Sequence, residues 1–310
     1  MKKKTAFLFP GQGAQYVGMG RDFYDAFPIY RETLQEADER LGFHLSSLIF
    51  DGPSITLTET KNSQVAIYVT SIGILRVIQK EFPNFQPETV AGLSLGEYTA
   101  LVASKRLEFS EGIDLVRSRG LLMHEASLKH PGTMAVALGL APEEVAKIVT
   151  PIQGVWIANL NCPGQVVISG THEGVQKASE HLKKGGAKRV LPLDVSGAFH
   201  SGLMEDAKKK LKEKLQLISL KKSEIDFVMN VPGDYVKDEE ILRFMELQVV
   251  SPVLWEKGIK EMEARGHEQY LEIGCGKTLS GMLRKISVQG EILSIEKVVD
   301  LEQLDQKGAC

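Results

Sequence analysis

The sequence predicts an α/β fold with a mostly parallel sheet, into which a smaller unit of order β-α-β-β-α-β is inserted. Three observations carry this expectation. Short apolar runs such as Thr5-Ala6-Phe7-Leu8-Phe9 and Thr89-Val90-Ala91 alternate with long helical patterns, as in sheets whose strands are joined by helical crossovers. Gly92-Leu93-Ser94-Leu95-Gly96 lies between one such strand and a helix-like run, Glu97 to Ala103. That is the strand, sharp turn and helix of a nucleophile elbow. Residues 130–195 complete the β-α-β-β-α-β order before helix–strand alternation resumes, and this is the ferredoxin-like, split βαβ pattern.

The elements follow in chain order. Thr5 to Phe9 is a strand ending in Pro10-Gly11-Gln12-Gly13. Helical patterns run from Met19 to Leu41, broken at Pro28, where the ring removes a donor and clashes with the preceding turn. Ser63 to Glu81 reads as a buried helix stopped before Pro83, and after the elbow a helix runs from Ser110 to about Ser127. In the inserted unit, Met134 to Leu140 is a strand and Pro142 to Val149 a helix with proline at its start. Val155 to Leu160 and Val166 to Ser169 are strands around the turn Asn161-Cys162-Pro163-Gly164. His172 to Lys184 is an amphipathic helix closed by Gly185-Gly186, and Arg189 to Leu193 a last strand. Beyond it come helices over Gly202 to Leu215, Glu239 to Leu247, Val253 to Arg265 and Thr278 to Ile286. Strands cover Ile225 to Asn230, Gln269 to Ile273 and Ile292 to Ile295, and the polar tail from Asp305 is expected to fray. The resulting division is a discontinuous large domain, 1–129 and 196–310, and a small one, 130–195.

Bulk properties narrow the function classes. The 310 residues, 43% hydrophobic and 25% charged, suit a soluble globular chain with room for one large and one small unit. A net charge of −3 lacks the basic excess of a nucleic-acid binder. No apolar run approaches the ~18–20 residues that span a bilayer. The longest, Val65 to Val77, is interrupted by Thr70, Ser71, Gly73 and Arg76. Lys2-Lys3-Lys4 is followed only by Ala6 to Phe9 before Pro10, too short a stretch for a signal peptide. Three cysteines, Cys162, Cys275 and Cys310, have no metal-like spacing. That argues against a metal site or a disulfide framework and for a reducing cytoplasm.

A serine on an elbow needs a base. Of seven histidines, His44, His124, His130, His172, His181 and His267 lie on or beside helical patterns and suit surface or capping roles. His200 follows the small-residue loop Ser196-Gly197-Ala198-Phe199 after a strand, where the edge of a parallel sheet delivers functional groups. Asp194 is the acid nearest to it in sequence, and nothing local marks that residue as an orienting group, so the third member stays open. Gly11-Gln12-Gly13 is either a plain tight turn or the source of a main-chain N–H that completes an oxyanion hole with the Leu95 N–H. Arg119 is either a surface charge or, facing inward, a clamp for a substrate carboxylate.

Seven ordered segments together resemble the malonyl-CoA:acyl carrier protein transacylases. They are Phe9-Pro10-Gly11-Gln12-Gly13, Gly92 to Tyr98, Arg119-Gly120, Asn161 to Val167, Gly197-Ala198-Phe199-His200-Ser201, Gln248 to Val253 and Glu272-Ile273-Gly274-Cys275-Gly276. The resemblance implies an α/β-hydrolase-like core with an inserted ferredoxin-like subdomain, and ping-pong acyl transfer with Ser94 as nucleophile and His200 as base. It implies an oxyanion hole from the Gln12 and Leu95 N–H groups, Arg119 on the malonyl carboxylate, and Gln248 orienting His200 through a carbonyl oxygen. Asn159 and Asn161 would line the pocket, and Phe199 would leave little room for an α-branched acyl group. Leu93 departs from the pattern, since many members carry histidine just before the nucleophile, and this bears on acyl preference. The implied substrates are malonyl-CoA and the phosphopantetheine arm of an acyl carrier protein, with no permanently bound cofactor and no need for more than a monomer. Two other readings share parts of the pattern: a serine hydrolase, and a non-catalytic module that docks carrier proteins.

Overall fold

The computed structural model describes residues 3–305. Among them, ten strands form two sheets: β1 (Thr5–Phe9), β2 (Thr89–Gly92), β3 (Thr133–Leu138), β4 (Val155–Cys162), β5 (Gln165–Gly170), β6 (Arg189–Pro192), β7 (Asp226–Met229), β8 (Asp234–Val236), β9 (Gln269–Ile273) and β10 (Glu291–Ile295). The larger sheet has the order β10-β9-β1-β2-β7-β8. Its pairs are parallel except at the edge, where β8 runs antiparallel to β7. β1 is buried at every position, so its sequence reads as an unbroken apolar run. Its side chains still part to two faces. Phe7 and Phe9 join the large core, while Ala6 and Leu8 meet Ile259 and Leu279 on the other side.

The helix Thr60–Glu81 is buried at every residue from Ser63 to Leu75. It packs between the helices Pro28–Leu41 and Phe109–Lys129, which explains why its apolar residues show no one-sided stripe.

The smaller sheet, β4-β5-β3-β6, is antiparallel throughout. Helices Pro142–Val149 and His172–Lys184 cover one face, where Val145, Val149, Val175 and Leu182 meet Ala135, Ala137 and Ile168. Met134, Val136 and Val167 point the other way, into the large core. β4 is also tied to the chain after residue 248: Val253 N–H donates to Ala158 O at 2.8 Å and Leu160 N–H to Val253 O at 2.9 Å.

Most expected elements are present, and the departures have local causes. Helices Leu45–Asp51 and Ser54–Thr58 were not expected, because they are too short to display a 3.6-residue period. β8 is a three-residue edge strand with no fully buried position, so it carries no apolar signal. The helix expected from Val253 begins at Trp255, because the Val253 main chain is engaged by β4. The segment expected as one helix from Gly202 opens with a 3-10 turn, Gly202–Met204. The tail beyond residue 305, including Cys310, lies outside the described residues. Among those residues, no helix is long and apolar enough to cross a membrane.

Candidate active site

β1 and β2 end side by side, with Phe9 paired to Gly92. The chain then turns through Ser94, whose φ of 52° is left-handed, and enters the helix Gly96–Ala103. A side chain on either flanking glycine would block this path. A Cβ on Gly92 would lie 1.9 Å from Gly96 C, and one on Gly96 2.2 Å from Phe9 O. Asn230, just after β7, spans the turn with its amide. Its Oδ1 accepts from Ser94 N–H at 2.6 Å and its Nδ2 donates to Gly92 O at 2.7 Å. A strained backbone angle persists where its surroundings over-determine it, and this bridge does so.

His200 also has a left-handed φ, 57°. Its Nε2 lies 2.9 Å from Ser94 Oγ and its Nδ1 lies 2.8 Å from the main-chain oxygen of Gln248. A carbonyl only accepts, so Nδ1 carries the proton and Nε2 presents its lone pair to the serine hydroxyl. Burial, aided by the charge of Arg119, presses the His200 pKa down to about 4. The imidazole is therefore neutral near pH 7, ready to take a proton from a hydroxyl. The third position left open in the sequence is filled by a main-chain carbonyl, and Asp194 is exposed.

Arg119 projects inward from the helix Phe109–Lys129 and is 1% exposed. Its Nη1 donates to Gln64 Oε1 at 2.6 Å, and its Nη2 donates to Ser94 Oγ at 3.0 Å and Gln248 Oε1 at 2.9 Å. Its Nε has no partner among the described residues. Neutral amide oxygens thus hold a buried cation whose charge is not cancelled by a directly bonded carboxylate. Such a group favours an incoming anion. Behind it, buried Glu97 accepts from Asn230 N–H at 2.6 Å and from the Gln248 side-chain amide. Burial pushes the Glu97 pKa up to about 8, against the pull of these donors and of Arg119.

These groups open onto a cleft of about 230 Å³ lined by Gln12, Leu93, Ser94, Arg119, Asn159, Asn161, Phe199 and His200, with Met123, Met134 and Met282 on its apolar walls. The side chains of Leu95 and Gln248 are fully buried and do not line it. Neither the Gln12 nor the Leu95 N–H donates to an acceptor among the described residues. Asn161 Oδ1 is buried without a partner there. A wider groove of about 730 Å³, lined by Arg31, Asp38 and His44 among others, contains neither the serine nor His200.

Gln64, Glu97 and Asn230 escaped the sequence reading. A carboxylate at the start of the otherwise apolar helix GEYTALVA was the available signal for Glu97. His267 takes the capping role of the two expected for it: its ring meets Met262 O in the last turn of the helix Trp255–Ala264, while it is buried at 4% exposure and also bonded to Thr89 Oγ1. His130 lies at the surface, paired with Asp206.

The family model for the acyl transferase domain matches residues 6–307. The chain belongs to this acyl transferase family. Relatives narrow its place. The acyl transferase is 42% identical over 304 residues to the malonyl CoA-acyl carrier protein transacylase of Bacillus subtilis (strain 168), covering 96% of this chain and 95% of the relative. It superposes on the crystal structure of MCAT from Streptococcus pneumoniae with a TM-score of 0.92 at 41% identity, over 98% of this chain and 100% of the other. It also matches the malonyl-transacylase solved in complex with a type II PKS acyl-carrier protein, with a TM-score of 0.93 at 36% identity over 97% and 98% of the two chains. An acyl transferase of this kind is an enzyme.

Proposed function

We propose that this acyl transferase moves a malonyl group from malonyl-CoA to the phosphopantetheine thiol of an acyl carrier protein, in fatty-acid or polyketide synthesis. The observation that carries the reading is a buried arginine hydrogen-bonded to the nucleophile itself. A hydrolase acting on neutral esters gains nothing from that cation, whereas a dicarboxylic acyl group needs it.

In the first half-reaction His200 Nε2 takes the Ser94 proton as Oγ attacks the thioester carbonyl. The developing oxyanion is held by the Gln12 and Leu95 N–H groups. Coenzyme A leaves as its thiol with the proton from His200, and a malonyl ester remains on Ser94. In the second half the carrier thiol attacks that ester and Ser94 regains its proton. Arg119 binds the free carboxylate throughout, and the Gln248 carbonyl keeps His200 in one tautomer. Phe199 crowds the α-carbon and so disfavours branched acyl groups, while Leu93 and Asn161 shape the walls.

Coenzyme A is a substrate in this scheme, and no resident cofactor is required. The proposed site is complete within one chain and needs no second subunit, and the enzyme is taken as a monomer acting in the cytoplasm. Residues 130–195 are best read as a subdomain inserted between 1–129 and 196–310, supported by their own sheet and core cluster.

Mixing the enzyme with malonyl-CoA and digesting it should show one malonyl group on the Ser94 peptide, stable until a carrier thiol is added. No adduct, or rapid hydrolysis without transfer, would refute the proposal. Arg119→Ala should lower malonyl transfer about 10- to 100-fold, the range of a lost charge-assisted hydrogen bond, and shift preference toward acetyl-CoA. Equal losses on both donors would make Arg119 structural.

A further inference from the structure

The chemistry just proposed leaves Glu97 without a task. It is fully buried, and both of its oxygens are engaged, one by Asn230 N–H at 2.6 Å and the other by Gln248 Nε2. The Gln248 amide has two unlike faces. Its oxygen accepts from Arg119 Nη2 at 2.9 Å, and its nitrogen donates to Ser94 O at 2.9 Å as well as to Glu97. Turned over, it would set two N–H donors against the guanidinium and its oxygen against two acceptors. Among the described residues Arg119 is hydrogen-bonded only to neutral amide oxygens and the serine hydroxyl, with the Tyr98 ring against its guanidinium, so losing one of these bonds frees an end of the fork.

We propose that Glu97 is a positioning residue that locks the Gln248 amide in one orientation and thereby aims Arg119 at the acyl-binding end of the cleft. The proposal rests on the malonyl-transfer reading above and deepens it. Glu97 touches neither substrate nor base. It acts on acyl selection through a two-residue relay.

Above about pH 8, where Glu97 is ionised and both of its oxygens accept, Glu97→Gln keeps the shape but replaces one acceptor oxygen with an NH2 group. Asn230 N–H is a fixed main-chain donor and takes the remaining oxygen. The new NH2 then faces Gln248, which can accept from it only by turning over. In E97Q the KM for malonyl-CoA should rise about tenfold and the malonyl-over-acetyl preference fall about as much, with kcat changing less than about threefold. Labelling of Ser94 by a neutral sulfonyl fluoride should stay within about threefold of wild type. An unchanged preference in folded E97Q overturns the proposal. Gln248→Met should also lose preference, and the double variant should lose no more than the worse single variant, because the two act in series. Additive losses would count against the relay.

If E97Q does not fold, the wild-type protein decides. The Gln248 Nε2 protons, enclosed by Ser94 and Glu97, should exchange with solvent more slowly than other glutamine side-chain amides in nuclear magnetic resonance spectra. Fast exchange overturns the proposal. If wild type transfers no malonyl group, the underlying reading fails too. If wild type transfers it and E97Q keeps the preference, only the positioning role falls.

Discussion

The acidity of the cleft's residues is set by what surrounds them. His200 is pressed down to about 4, first by burial and then by Arg119. The acid limb of kcat/KM should therefore lie well below the ordinary imidazole range, leaving the rate flat from pH 8 to about pH 5. Acetyl-CoA is the donor to use, since its acyl group has no carboxylate to titrate. Replacing Arg119 by Gln removes a cation that disfavours imidazolium, so the limb should move up in pH. A wild-type limb near 6.5 would contradict this. The serine and the histidine were legible in the sequence because each sits in a short motif. From its local sequence Arg119 was legible only as a choice between surface and interior, since one helical arginine does not reveal which way it faces, and the family resemblance alone gave it a carboxylate to bind. Glu97 and Asn230 were not legible, because they work through contacts more than 130 positions apart.

At the level of elements, the reading succeeded where local chemistry marks both ends. The helix His172–Lys184 has a threonine N-cap that accepts from Gly174 N–H and a glycine after its last turn. The helix Pro142–Val149 starts on proline. The two short helices after residue 44 and the edge strand β8 lack such length or patterning. The elbow depends on a partner that no strand–turn–helix motif names: the Asn230 amide, which bonds the turn on both sides of Leu93. Asn230→Ala leaves two main-chain groups without partners and should destabilise the fold by about 2–4 kcal/mol. The loss is measurable as a lower denaturation midpoint, and malonylation of Ser94 should slow with it. An unchanged midpoint would mean that the turn holds its own shape.

For the molecule as a whole, two buried titratable groups pull stability in opposite directions along the pH axis. Glu97 has a folded pKa raised from 4.5 to about 8, so its contribution is full below 4.5 and is lost as pH rises through 8. His200 has a folded pKa lowered from 6.5 to about 4. Its contribution is full above 6.5 and is lost as pH falls through 4. The two slopes oppose each other between about 4.5 and 6.5, and Glu97 alone acts from there to 8. Urea unfolding should show wild type losing up to a few kcal/mol between pH 6.5 and 8, with most of that decline absent in E97Q. Parallel curves for the two proteins would show that Glu97 is not the group responsible. The fold class was legible because strand–helix alternation and the βαββαβ order are properties of the whole chain. What pattern could not supply is the seam between the sheets, where Ala158 and Leu160 share main-chain hydrogen bonds with Val253. Five residues upstream of that seam lies the carbonyl that steers the imidazole. Grafting a foreign small sheet onto this scaffold would therefore re-tune the proton shuttle, even with every reactive side chain left intact.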